Sequence, residues 1–105
     1  MHPLIKTLFS TACALLCAGA AQATYPDKPI KLVVPYAPGG ITDNLARALA
    51  EGVSRELKQP IVVDNKAGAS AMIGTGMVAN APADGYTLLM ASNGNMTVTP
   101  MVMKN

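Results

Sequence analysis

IKLVVPYAPGGITDNLARAL, residues 30–49, joins an apolar β-branched run to a Pro-Gly-Gly turn and the start of an amphipathic helix. The run from Ile30 to Pro35 suits a parallel strand covered on both faces. Gly39 and Gly40 carry no Cβ, so the backbone can turn sharply there and offer its N–H groups outward. Thr42 or Asp43 is then placed to cap the helix that follows. Unpaired amides at the positive end of a helix dipole favour an anion, a carboxylate in particular. From local residues alone, the alternative is that the Gly-Gly pair is only a tight connection.

Upstream, residues 1–23 have the form of a cleavable export signal. Lys6 supplies a modest positive start, Leu8 to Cys17 is apolar, and Ala21-Gln22-Ala23 has the small-x-small form of a cleavage site. The apolar run is shorter than the roughly 18 residues a membrane helix needs. A lipid anchor fits less well, because Cys17 follows Leu16 where a small residue is required, and Cys13 lies too early. Cleavage after Ala23 gives a periplasmic product, residues 24–105, and removes Cys13, Cys17 and His2 together. What remains has no disulfide, thiol nucleophile or imidazole base, and no His or Cys to ligate a metal. Lysines and arginines nearly balance acids after residue 23, the charges are scattered, and neither Trp nor Phe follows, so a nucleic-acid surface is not expected.

Downstream, Leu45, Leu49, Val53 and Leu57 recur every four residues and predict the core-facing stripe of a helix reaching Leu57, with Ala46, Ala48 and Ala50 keeping its packing close. Arg47, Glu51, Arg55 and Lys58 read as its solvated face. Ile61-Val62-Val63 forms a second strand. The small-residue loop 65–71 leads into a helix predicted over 71–81, whose Gly74 and Gly76 lower its propensity and would let another backbone approach. Pro82-Ala83-Asp84-Gly85 is a turn, Tyr86 to Ala91 a third strand, and a weak helix begins near Met96 until Pro100 interrupts it. The order is β-α-β-α-β, an α/β three-layer unit with a parallel sheet. Loops 36–43, 65–71 and 92–96 then emerge where the strands end, the edge at which open α/β sheets bind ligands.

Several motifs admit two readings. Gly74-Thr75-Gly76-Met77-Val78-Ala79 matches G-x-G-x-x-A but falls inside a helix, so it is a chance match to a dinucleotide fingerprint. Asp43 is a catalytic carboxylate or, more simply, a first-turn acid favoured by the dipole. Ser70 and Ser92 offer hydroxyls to a ligand, but no base activates either. Asn93 is a ligand donor or a turn residue, and Tyr36 walls a pocket or covers the sheet edge. Asn95-Met96-Thr97 is formally a glycosylation sequon.

Over residues 25–95 the chain resembles the extracytoplasmic solute receptors of the tripartite tricarboxylate transporter group, the Bug family. The resemblance rests on YP-x-KPI, PGG-x-TD, QP-IVV-(D/E)N, AGAS-x-x-IG and ADGYTLL. It implies a type II periplasmic binding protein, of which residues 24–105 would be part of lobe one, a truncated product. Small organic carboxylates would be held by loop amides and hydroxyls at Ala37, Gly39, Gly40, Thr42 and Asp43, at Ala69 and Ser70, and at Ser92 and Asn93. Such a receptor hands its ligand to a membrane permease, with no catalysis, cofactor or metal. The alternative is a non-binding remnant that associates through its exposed sheet edge.

Overall fold

A computed structural model describes residues 24–102; the export signal and cleavage site expected from the sequence lie outside them. Strand β1 (Ile30–Val34) is followed by helix α1 (Ile41–Leu57), strand β2 (Ile61–Asn65) and a 3-10 turn (Ala69–Ala71). Helix α2 (Met72–Ala79), strand β3 (Thr87–Leu89), a π-helical turn (Gly94–Val98) and helix α3 (Thr99–Val102) complete the order. The three strands form one parallel sheet in the order β2-β1-β3, with Leu32 opposite Val63 on one side and Leu88 on the other.

β1 is central, so both its edges are paired, and helices cover its two faces. Leu32 and Val34 pack with Ala46 of α1, joined by Ile61, Val63, Tyr36 and Met90. Pro35, of opposite parity in the strand, lies against Gly74 of α2; side chains alternate along a strand, so the two helices cover opposite faces. The close approach expected of a glycine occurs at Gly74, where an added Cβ would lie 2.9 Å from both the Lys66 carbonyl and Pro35 Cβ. At Gly76 the space is open. Ile30, Val33 and Val34 are fully buried, each worth about 1.5–3 kcal/mol of apolar transfer.

Four expectations need correction. The residues of α1 that are buried are Asp43, Ala46 and Ala50, whereas Leu45 and Leu49 are about half exposed at 57% and 50%. Small side chains let the helix lie close to the sheet, and the leucine stripe is turned away from it. The second helix starts at Met72 and ends at Ala79, because Ala71 is left-handed and the chain turns out at Asn80. The third strand is shorter than read, although Lys31 N–H still bonds the Tyr86 carbonyl and Met90 N–H the Val33 carbonyl. Pro100 does not end the last helix: Thr99 N–H donates to the Gly94 carbonyl in a wide π turn, and the α turn that follows runs on through Pro100 to Val102.

At the amino edge of the sheet, the lead-in is clasped to the turn before β3. The Tyr25 hydroxyl donates to the Gly85 carbonyl and the Tyr86 hydroxyl to Asp27 Oδ1, with the two rings edge-to-face at 5.0 Å. The hydrogen bond to Asp27 pushes the Tyr86 phenol pKa up. Lys28 Nζ lies 4.4 Å from the Tyr86 ring centroid, within cation–π range.

Candidate functional site

With all strands parallel, the loops after β1, β2 and β3 leave the same edge of the sheet. The first is held at its base by Asp43. Gly40 occupies the N-cap position in extended backbone (φ −77°, ψ 176°) with no side-chain cap, which corrects the expectation that Thr42 or Asp43 would cap α1. Asp43 instead reaches back from the third helical position, accepting the Gly39 N–H at 2.9 Å. Acids at that position are suited to reaching back over the first turn. Asp43 also accepts from Asn65 Nδ2 at 2.9 Å and from Arg47 Nε at 3.0 and 3.1 Å. Asn65 Nδ2 bonds the Tyr36 carbonyl, and Arg47 Nη2 donates to Asn65 Oδ1.

Asp43 is 2% exposed, and these donors, the Gly39 amide foremost, then Asn65 and Arg47, hold its carboxyl at about 2. It is the first-turn acid of the simpler reading, and its oxygens are turned inward. Because Gly39 N–H is taken, the donors left at this helix end are the first-turn amides, which have no intrahelical acceptor.

The second loop reaches the same edge differently. Gly68, Ala69, Ser70 and Ala71 all have positive φ, at 129°, 48°, 53° and 71°. Left-handed backbone at a residue bearing a Cβ costs roughly 1–2 kcal/mol. Hydrogen bonds from outside the loop hold it: Thr75 Oγ1 donates to the Ala71 carbonyl at 2.8 Å and Thr99 Oγ1 to the Ser70 carbonyl at 3.3 Å.

The third loop ties the other two together. Asn95, 2% exposed, accepts from Ser92 N–H at 2.7 Å through Oδ1 and donates through Nδ2 to Thr75 Oγ1 at 3.0 Å. Ser92 Oγ lies 3.2 Å from Asn95 Oδ1 and also bonds the Tyr36 hydroxyl. Since Asn95 Oδ1 only accepts, the hydroxyl protons run one way, from Tyr36 to Ser92 to Asn95. Both hydroxyls are therefore committed inward, which leaves an anion at this edge the main-chain N–H groups together with the side chains of exposed Ser70 and Asn93. Among the described residues every buried side-chain N or O atom has a partner.

Of the residues singled out from sequence, Tyr36 and Ser92 are bonded to one another, and Gly39 to Asp43. Ala37, Gly39, Gly40, Ala69, Ser70 and Asn93 are exposed at the edge, Thr42 is half-buried and Asp43 is buried. The supporting residues Arg47, Asn65, Thr75, Asn95 and Thr99 were not foreseen. Asn65 stands in the recognisable QP-IVV-(D/E)N segment, the one signal that could have drawn attention to it. The sequon asparagine is buried with its amide nitrogen engaged.

No helix among the described residues is long and apolar enough to cross a membrane, and no group of three or more His, Cys, Asp or Glu gathers there to hold a metal.

Comparison with known proteins places this geometry in a family. Residues 45–105 match the sequence profile described as "Tripartite tricarboxylate transporter family receptor". Protein BugT of Bordetella pertussis is 49% identical over 82 residues, which are 78% of this chain and 25% of that protein. The solved structure of the periplasmic binding protein BugD is 52% identical, with a TM-score of 0.60 over 62% of this chain and 22% of BugD. Rpa4515 of R. palustris, solved with adipate, is 44% identical with a TM-score of 0.62, over 63% of this chain and 22% of its own. The chain thus spans less than a third of the length of these relatives. The chain belongs to the tripartite tricarboxylate transporter family of receptors.

Proposed function

We propose that this chain is a periplasmic solute-binding component that takes small organic carboxylates at the carboxyl edge of its sheet and serves the membrane permease of a tripartite transporter. The observation that carries the reading is the convergence of three loops on one edge, with the N-terminus of helix α1 there and the Tyr36 and Ser92 hydroxyls turned inward. An arrangement rich in amide donors suits carboxylate oxygens, and adipate in a related structure is a ligand of that class. Main-chain amides of Gly40 and Thr42, with Ala37, Ala69, Ser70 and Asn93 exposed around them, form the seat; Gly39, Asp43, Tyr36 and Ser92 shape it. The reading requires binding without chemistry, cofactor or metal, and export with cleavage after Ala23, which N-terminal sequencing of the secreted product would check by a start at Thr24.

Calorimetry of the chain against a panel of di- and tricarboxylates tests the proposal. An open edge covers little of a ligand, so the expected affinity is no tighter than about 1 mM, roughly 4 kcal/mol. The heat should vanish in Gly39→Val and Gly40→Val variants. A micromolar affinity would overturn the open-edge argument. Flat titrations across the panel would favour the second reading, association through the sheet edge, for which the exposed Val62 of β2 and Leu88 of β3 speak.

A further inference from the structure

We infer that Asn95 is the positioning residue of the seat, setting the left-handed turn of the second loop and locking it to the first and third loops without itself facing the ligand. The inference deepens the reading above and rests on it for the identity of the ligand. A directed chain of hydrogen bonds carries it. On one side the Tyr36 hydroxyl donates to Ser92 Oγ, and Ser92 Oγ and N–H donate to Asn95 Oδ1. On the other, Asn95 Nδ2 donates to Thr75 Oγ1, which leaves the Thr75 proton no choice but the Ala71 carbonyl, 2.8 Å away. Asn95 thus accepts from Ser92, through which Tyr36 of loop one is reached, and donates to Thr75, through which loop two is reached.

The donor half matters because Ala71 is the last of three consecutive non-glycine residues with positive φ. Such backbone persists only where its surroundings over-determine it. The single Thr99 hydroxyl proton, shared between the Gly94 carbonyl at 2.9 Å and the Ser70 carbonyl at 3.3 Å, is a weaker second restraint, and it too comes from the segment after β3. An asparagine is the residue type that fits, since its amide has one accepting and one donating end in a fixed plane.

The test exploits that asymmetry. In Asn95→Asp the accepting end toward Ser92 is kept while the donating end becomes an acceptor. Thr75 must then turn its proton to the new carboxylate and abandon the Ala71 carbonyl. Amide hydrogen exchange of the full chain, without ligand, is the primary readout. Exchange at residues 69–72 should rise by about tenfold, the scale of one buried hydrogen bond lost, while protection at Ser92 and in α1 is kept. Asn95→Ala should loosen both Ser92 and residues 69–72. Adipate titration is the second readout: a wild-type signal weakened about tenfold in Asn95→Asp extends the positioning role to the ligand.

Unchanged exchange at 69–72 in Asn95→Asp would overturn the inference. So would a uniform rise across residues 30–102 in both variants, which would make Asn95 a stabiliser of the fold alone. Split exchange with no adipate heat in the wild type would leave Asn95 positioning the loops and count against the carboxylate reading itself.

Discussion

Two loops bring helix N-termini to one sheet edge by opposite means. The loop before α1 turns on glycine: Gly39 takes φ 89° with nothing within 4 Å of where its Cβ would be, and a charged side chain, Asp43, ties the turn from within the helix it starts. The loop before α2 turns on alanine and serine in left-handed backbone and contains no charged side chain after Lys66; its ties come from Thr75 and Thr99. The first is tied by its own helix and by Asn65 of β2, and the second borrows its conformation from the segment after β3. A turn of the first kind tolerates rearrangement after β3, while one of the second kind reports it.

Acid gives the broadest contrast. Asp43 titrates at about 2 in the folded chain against an ordinary 3.8, so its stabilising contribution is complete above about pH 4 and disappears as the pH falls through 2. The Gly39 amide resonance should move across that window and the Ala71 resonance should not; equal movement of both would erase the distinction.

Next in size, Gly74→Ala drives a Cβ into Pro35 and the Lys66 carbonyl at 2.9 Å and should cost about 2 kcal/mol in denaturant unfolding, since backbone at that range must shift. Gly39→Ala meets open space, and its cost is conformational alone, about 1–2 kcal/mol. Ala69→Gly should act in the opposite direction, stabilising by up to about 1 kcal/mol as relief of the left-handed strain outweighs added freedom in the unfolded chain. Matching signs for these two would mean that one of the positions is not held in left-handed backbone. Smallest is Leu45→Gln, at 57% exposure expected to change stability by less than about 0.5 kcal/mol.

The alternation of strands and helices, the parallel sheet and the shared edge were all legible, because β-branched runs, a Pro-Gly-Gly turn and a Pro-Ala-Asp-Gly turn each have a local physical cause. The leucine periodicity of α1 was misleading for an equally physical reason. Period identifies a stripe but not which stripe docks, and Ala46 and Ala50 permit an approach that Leu45 and Leu49 do not. The left-handed turn at Ala69 to Ala71 was invisible, since nothing in Ala-Ser-Ala asks for positive φ and its restraints lie up to 29 residues away. For the same reason Asn65 and Asn95 were overlooked. Each serves partners distant in sequence, Asn65 to Tyr36 and Asp43, Asn95 to Thr75, and a lone asparagine in a polar stretch carries no mark of that duty.

The tyrosine clasp has a practical implication for anyone wishing to watch the protein at work. It fastens Thr24 to Pro29 at the opposite pole from the three loops, and a five-residue strand separates the two poles by about 16 Å. A dye or affinity handle attached just ahead of Thr24 would therefore ride clear of the loops, while one placed at Asn93 would sit among them.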